Sequence, residues 1–369
     1  MIVLTAQGGP GRRIFRVAGF DGGPKKGKIP PVTKNRLVYV GLSVVVSATL
    51  LAVLSSQIRA QDFGRTLASI YLPALLAYMA ASLVSAWLRA WRYKWLLAPE
   101  KIGWGNMFLV TFIRNSFDDL LPARLGSLSY IYVLNKRLGF SFESAASTFV
   151  VALVFDFLTL YPFLVAALLA AGWKMEGIPC AALLAVAGGL FLLFGVVIWR
   201  LVPLSRLALR GLDGLLKAFG WAERPKARGA MAKLETTVES LDAIRRRRGY
   251  GRLFLMSVLI RAGKYLSLFA LFYALMRSHG FGLADLSLGK IVLGVTGAEM
   301  TSALPVKGLA GFGTWESAWA VALRLMHFDP RLAVLTGIGI HLLTNLFEYS
   351  LGLASLLILL IPYLRRKKR

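Results

Sequence analysis

The chain has 369 residues, 57% of them hydrophobic and 17% charged, with a mean hydropathy of +0.63. That balance excludes an ordinary soluble enzyme of this length and marks an integral membrane protein. Lys and Arg number 44 against 18 Asp and Glu, and the net charge of +26 is concentrated in a few segments, so its placement carries topological information.

Residues 1–36 hold eight cations and one acid among Gly, Pro and Lys, which predicts a disordered basic arm. No continuous hydrophobic stretch precedes Arg36, so no cleavable signal peptide is expected. Apolar stretches of spanning length follow at 37–54 and 70–88, joined to what comes next by a connection, 89–101, that nets +3. Residues 106–136 are less regular and contain Leu121-Pro122-Ala123-Arg124-Leu125-Gly126. Two further apolar stretches occupy 144–171 and 178–200. The single cysteine, Cys180, excludes an internal disulfide or a Cys-based metal site.

Segment 201–250 carries eleven cations against five acids, with Arg245, Arg246, Arg247 and Arg248 in one run. No interleaved aromatic platform or recognisable binding module accompanies these charges, so nucleic acid is not an expected partner, and attraction to anionic lipid headgroups is preferred. An apolar stretch at 252–276 leads to a second irregular segment, 288–327, in which Leu304-Pro305-Val306-Lys307-Gly308 repeats the earlier Pro-cation-Gly pattern and runs on to Gly311 and Gly313. A last apolar stretch at 332–361 precedes a basic tail, 362–369.

These elements predict an all-α integral membrane protein of about six full spans plus two broken re-entrant helix hairpins. With the N-terminus inside, the +3 connection, the basic 201–250 segment and the basic tail all fall on the cytoplasmic face of a bacterial inner membrane, as the excess of cations on inner loops requires. Two units, 37–171 and 172–361, then repeat in opposite orientation, an architecture associated with a midplane binding site and alternating access. The competing expectation is that both breaks are loops between short full spans, which moves them to a membrane surface.

Intramembrane charges are functional-site candidates by default. Arg261 and Lys264, three residues apart near the centre of their span, share a helical face and suit an anionic group such as a lipid phosphate; alternatively they pair with Asp156 and hold two spans together. His341, Asn345 and Glu348 form a polar stripe on the last span, suited either to proton relay or to hydrogen bonding between helices. At the second break, Gly308, Gly311 and Gly313 allow close backbone approach, Thr314 is placed to cap the next half-helix, and Lys307 adds a charge to an anion-favouring helix start. Arg124, Gly126 and Ser127 stand in the same relation at the first break. Glu299, Glu316 and Glu348 are candidates for ion coupling or gating. Asn115, Asp118 and Asp119 make the half-helix before Leu121 unusually polar, lining either a cavity or its mouth. No nucleotide loop, metal set or catalytic constellation is legible, and no cofactor is expected.

On these residues the chain resembles the flippase-like membrane domain family, also called the lysylphosphatidylglycerol synthase transmembrane region, the N-terminal half of the multiple peptide resistance factor. The resemblance covers roughly residues 37–361. It rests on the Leu121 to Gly126 motif with the following Tyr132-Val133-Leu134-Asn135-Lys136-Arg137-Leu138-Gly139, and on Pro305 followed by Gly311-Phe312-Gly313-Thr314-Trp315-Glu316. It implies lipid translocation, with Arg124 and Glu316 at matching motif positions. Ser127 stands where that pattern usually has an acid, and Trp315 where it usually has an Arg; if that acid and that Arg pair between the hairpins, their joint absence is a matched loss and the ligand or gating contact differs here. The soluble aminoacyl-transfer domain of the resistance factor is not expected after the basic tail, nor is synthase activity.

The expected function is movement of an anionic phospholipid or polyprenyl-phosphate-type lipid across the inner membrane. Arg124, Lys307, Arg261 and Lys264 hold the phosphate, helped by backbone N–H groups at the glycine breaks. Two alternatives stay open: a membrane-embedded enzyme or enzyme subunit acting on lipid, and a non-transporting scaffold that recruits a partner through Arg245 to Arg248. Membrane lipid is the expected partner, and a homo-oligomer is compatible with the chain.

Overall fold

The computed structural model describes residues 34–120, 126–170, 179–246, 249–301 and 308–367, and every regular element among them is helical. In chain order these are α1 (Lys34–Ser55), α2 (Ala60–Ala68), α3 (Leu72–Leu97), α4 (Trp104–Leu120), α5 (Ser129–Leu138), α6 (Phe142–Leu158) and α7 (Leu160–Ala170). There follow α8 (Cys180–Trp199), α9 (Leu201–Ala218), α10 (Pro225–Arg246), α11 (Tyr250–Met276), α12 (Leu288–Met300), α13 (Thr314–Leu325) and α14 (Pro330–Lys367). Local chemistry sets several ends. The Ser141 hydroxyl accepts the Ser144 N–H at 3.0 Å to start α6, and the Asp329 carboxylate accepts the Leu332 N–H at 2.8 Å to start α14. Gly139 closes α5 in the left-handed conformation at φ 78°, returning its N–H to the Leu134 carbonyl.

Helices occupy all six predicted apolar stretches. Among the described residues four are long and apolar enough to cross a membrane: Leu72–Leu97, Phe142–Ala170, Tyr250–His279 and Pro330–Leu360. A fifth crossing results if the pair Leu184–Val197 and Leu201–Ala218, bent by 75°, counts as one span. Large apolar side chains stay exposed along α3, α8 and α14, among them Leu76, Val84, Leu192, Val196, Leu346 and Leu353. A row of that extent on several neighbouring helices calls for lipid rather than water as its surroundings.

One predicted boundary is corrected. The second apolar stretch does not end at Leu88, because α3 continues to Leu97 and carries Arg89 and Arg92 into the protein. Arg92 is fully buried and Arg89 partly so, and the cationic connection predicted at 89–101 thus supplies two inward guanidinium groups as well as surface charge. Segment 201–250 likewise is not a bare solvated run. It folds into α9 and α10, and Val238, Leu241 and Ile244 of α10 are buried in a core shared with α6.

Each irregular segment is a helix, a break and a second helix. Its members, of 17 and 10 residues in the first and 13 and 12 in the second, are shorter than the roughly 20 residues that a full crossing takes, and they pack on one another. At the first break, a Cβ built on Gly126 falls 1.4 Å from the Phe117 carbonyl oxygen, so the chain folds back directly onto the last turn of α4. At the second, Gly313 sits at φ 86°, a conformation that disfavours other residues, with its built Cβ 2.8 Å from Leu50 Cβ of α1. The turn Leu309–Gly311 lies against α4, so the second break reaches the helix that precedes the first. Pro122 and Pro305 lie outside the described residues.

Several helix pairs knit residues before 171 to those after 172, and two of them are notable for extent or closeness. The most extensive contact in the molecule runs between α3 and α11, where Gly263 faces Ser85 and the Ser85 hydroxyl donates to the Ile260 carbonyl at 3.1 Å. Between α4 and α14 the approach is closer still. A Cβ on Gly352 would meet Ser116 Oγ at 1.8 Å, and that hydroxyl donates to the Glu348 carbonyl at 2.6 Å. Small residues at such crossings are what permits helix association where no hydrophobic force operates between helices.

Candidate functional site

Between α3, α4, α11, α12 and α14 lies a cavity of about 170 Å³. Its polar lining comes from near the middle of α3 (Ser85, Arg89), α11 (Arg261, Lys264) and α14 (His341, Glu348), which places it well inside the helical layer. Four cations, Arg89, Arg114, Arg261 and Lys264, and four acids, Asp118, Asp156, Glu299 and Glu348, share the wall. Charges at such depth persist only when paired or facing a polar cavity, and both cases occur here.

Asp156 is the anchor of one group. Its carboxylate takes a two-point contact from Arg92, 2.5 Å to Nη1 and 3.1 Å to Nη2, and Arg92 Nη1 also donates to the Ser257 hydroxyl at 2.7 Å. This planar fork suits a carboxylate better than a point charge does. Arg261 reaches only the Asp156 backbone carbonyl, at 2.6 Å, so the expected pairing of Arg261 and Lys264 with the Asp156 side chain is replaced by one from α3. Arg261 and Lys264 turn instead to Glu299 on α12, Arg261 Nη1 lying 3.4 Å from Oε2 and the Lys264 ammonium pairing with Oε1.

Arg89 and Arg114 are differently placed. Arg89 donates from Nη1 to the Asn115 side-chain oxygen at 2.9 Å, while its buried Nε has no hydrogen-bond partner among the described residues. Arg114 is 4% exposed, and its nearest acid, Asp118, lies 3.9 Å from Nη2. Its Nε and Nη1 are both buried without a partner among the described residues. Asp118 is drawn away by the Ser127 hydroxyl, which donates to it. Thus α4 holds an acid against Ser127. Buried N–H donors without acceptors are costly, and two guanidinium groups on one cavity wall present several of them together.

Across the cavity, His341 Nδ1 lies 2.7 Å from Glu316 Oε1, and the other oxygen of Glu316 accepts the Gly313 N–H at 2.8 Å. Glu316 is completely buried. The His341 ring is stacked on Trp315 at 5.0 Å and packed by Phe312 at 4.6 Å. Thr314 does not cap α13 as predicted, because Gly313 occupies the cap position and the Glu316 carboxylate satisfies its N–H; the Thr314 hydroxyl turns back to the Gly311 carbonyl at 3.0 Å. The anion that the start of α13 favours is therefore supplied by the chain itself.

Of the predicted residues, Arg261, Lys264, Asp156, Glu299, His341 and Glu348 line one cavity, with Glu316 directly behind His341. Asn345 is buried on the same helix and is not among the lining residues. Gly126, Gly308, Gly311 and Gly313 shape the breaks and do not line the cavity: Gly308 and Gly313 pack against Ser47 of α1, and Gly311 lies under the His341 ring. Arg124 and Lys307 lie outside the described residues. Arg89, Arg92 and Arg114 were not singled out by sequence. A signal for the first two exists in Ser82, Ser85, Arg89 and Arg92, whose 3-4-3 spacing draws a polar stripe down an otherwise apolar and Trp-rich helix.

The fold and this cavity define a class: a multi-pass helical membrane protein with a charged internal cavity between two broken helix pairs. A family model described as the lysylphosphatidylglycerol synthase TM region matches residues 40–352, and the chain belongs to that family. The family is the membrane region of a lipid-modifying protein, which ties the chain to membrane-lipid function. No curated protein matches the sequence.

Proposed function

We propose that this protein moves an anionic phospholipid, or a polyprenyl-phosphate-type lipid, between the leaflets of a bacterial inner membrane, with both termini on the cytoplasmic side and the two broken helix pairs belonging to an inverted repeat. The observation that carries this reading is Arg114: a buried guanidinium at a cavity wall with two N–H donors that have no acceptor among the described residues, beside Arg89, whose buried Nε likewise has none among them. A phosphate oxygen is the acceptor such a fork fits best. Arg89 and Arg114 take the headgroup, Arg261 and Lys264 supply further positive potential from the facing wall, and Arg124 and Lys307 at the breaks are proposed to extend it. Glu299 moderates Arg261 and Lys264, and the Glu316–His341 pair is proposed to gate or couple the movement together with Glu348 and Asp156, two further acids of the wall.

The test uses purified protein in vesicles containing a fluorescent phosphatidylglycerol, with dithionite reduction reporting its transbilayer movement. Wild type is expected to accelerate movement, and Arg114→Gln to lower the rate by tenfold or more while eluting as the same folded species. Unaltered movement in Arg114→Gln overturns the assignment of the seat. Chemical conversion of the lipid, without movement, overturns translocation in favour of an enzyme.

A further inference from the structure

We infer that α9 is an interfacial helix, seated apolar face down in the anionic leaflet at the end of the molecule where α8 finishes. The inference is independent of what the internal cavity carries.

The chain leaves α8 at Trp199 and turns by 75° into α9, so α9 runs in a direction far from that of α8. One stripe of α9, spaced 4-3-4, is Arg206, Arg210, Asp213 and Lys217; it runs along the edge of the helix beside α10, where Arg206 Nη2 lies 3.5 Å from Asp242, and its cations stay exposed. Val202 is buried and Leu209 partly so, both in the core that includes α10. The outward stripe is Leu204, Leu207 and Leu215, continued past the helix end by Phe219 and Trp221, all exposed, Leu207 by 64% and Phe219 by 66%. A soluble surface helix keeps one apolar stripe, turned inward, and polar residues elsewhere, whereas α9 carries a second apolar stripe on the face turned away from the protein.

Aromatic and cationic side chains frame this stripe at both ends. At the turn, the Arg200 guanidinium stacks over the Trp199 ring at 4.6 Å; beyond the helix, Arg224 lies over Trp221 at 5.3 Å. Tryptophans and snorkelling cations of this kind are anchors at the level of lipid headgroups. The same end of the molecule holds a second such set: the connection from α10 into α11 places Gly249 against the Trp95 ring and Arg252 over Trp91, and Trp87 stacks on Trp104. Charge selects the occupant of the exposed stripe. Arg200, Arg206, Arg210, Lys217 and Arg224 flank it against Asp213 and Glu223, so a second copy would bring like charges together, whereas an anionic leaflet complements them.

The full chain, with Cys180→Ala and one spin label at Leu207→Cys, Leu215→Cys or Arg210→Cys, is placed in nanodiscs containing either a third phosphatidylglycerol or phosphatidylcholine alone. Power saturation with oxygen and a nickel chelate reads depth. Labels at 207 and 215 are expected about 5–10 Å below the phosphates in anionic discs, with the label at 210 open to nickel. In neutral discs, and in anionic discs after Arg200→Gln with Arg210→Gln, the 207 and 215 labels become several-fold more accessible to nickel. Nickel access at 207 and 215 in anionic discs overturns the inference, as does a bilayer-centre depth, which makes α9 half of a span. Equal depth in both disc types overturns the dependence on anionic lipid.

Discussion

Removing one member of the Arg92–Asp156 pair leaves the other charged and buried, at a cost of about 3–5 kcal/mol. Asp156→Ala is expected to lower the thermal unfolding midpoint in detergent sharply, and Arg92→Met with Asp156→Leu to recover much of that loss. A strictly additive double mutant would show that the two-point contact is not formed. Ser127 and Trp315 yield a second residue-level expectation. Ser127→Glu sets a carboxylate against Asp118, and Trp315→Arg replaces the ring stacked on His341 with a cation at the same cavity. Lipid movement by the single and double variants should be non-additive, whereas independent effects would mean that the two hairpins do not communicate. Arg261, Lys264 and Asp156 were legible as candidates because each is an isolated charge in an apolar window, for which only a functional or paired role is tolerable. Arg89 and Arg92 were not, because hydropathy fades where a helix begins to carry arginine, whether that arginine turns to water or inward. Beyond the faint stripe with Ser82 and Ser85, the partners distinguish the two, and they lie far along the chain: Asn115 on α4 for Arg89 and Asp156 on α6, 64 residues on, for Arg92.

Among the elements, the breaks depend on backbone proximity that no other residue can reproduce. Gly126→Ala is expected to abolish folded, monodisperse protein, since its Cβ has no space beside Phe117. Gly139→Ala is the control. It has the left-handed backbone of a helix end, which Gly126 does not, but meets nothing within 4 Å, and should cost about 1 kcal/mol or a little more with the fold retained. Equal yields from the two variants would contradict the tight return at α4. The position of both breaks was readable from Pro and Gly inside apolar sequence. How α13 starts was not, because Thr314 and Glu316 are both able to cap it, and the choice fell to Glu316 only once His341 came within reach of the same carboxylate.

At the scale of the whole molecule, reporter fusions at the two termini and within 201–250 should all report the cytoplasm, and a reporter at 277–287 the opposite face. A split among the first three would break the inverted repeat. The apolar stretches were legible as helices, while the number that cross was not, since length and composition leave α8 and α9 as one bent element or two. The seam between α4 and α14 then restricts how such a protein can move. With Ser116 lodged where Gly352 has no side chain, and bonded to the carbonyl of Glu348, these two helices are a rivet joining the first half to the second. Rocking of one half as a block against the other would shear it. Any conformational cycle is thereby directed to parts the rivet leaves free, and replacing Gly352 with a bulkier residue should jam or dismantle the assembly rather than retune its speed.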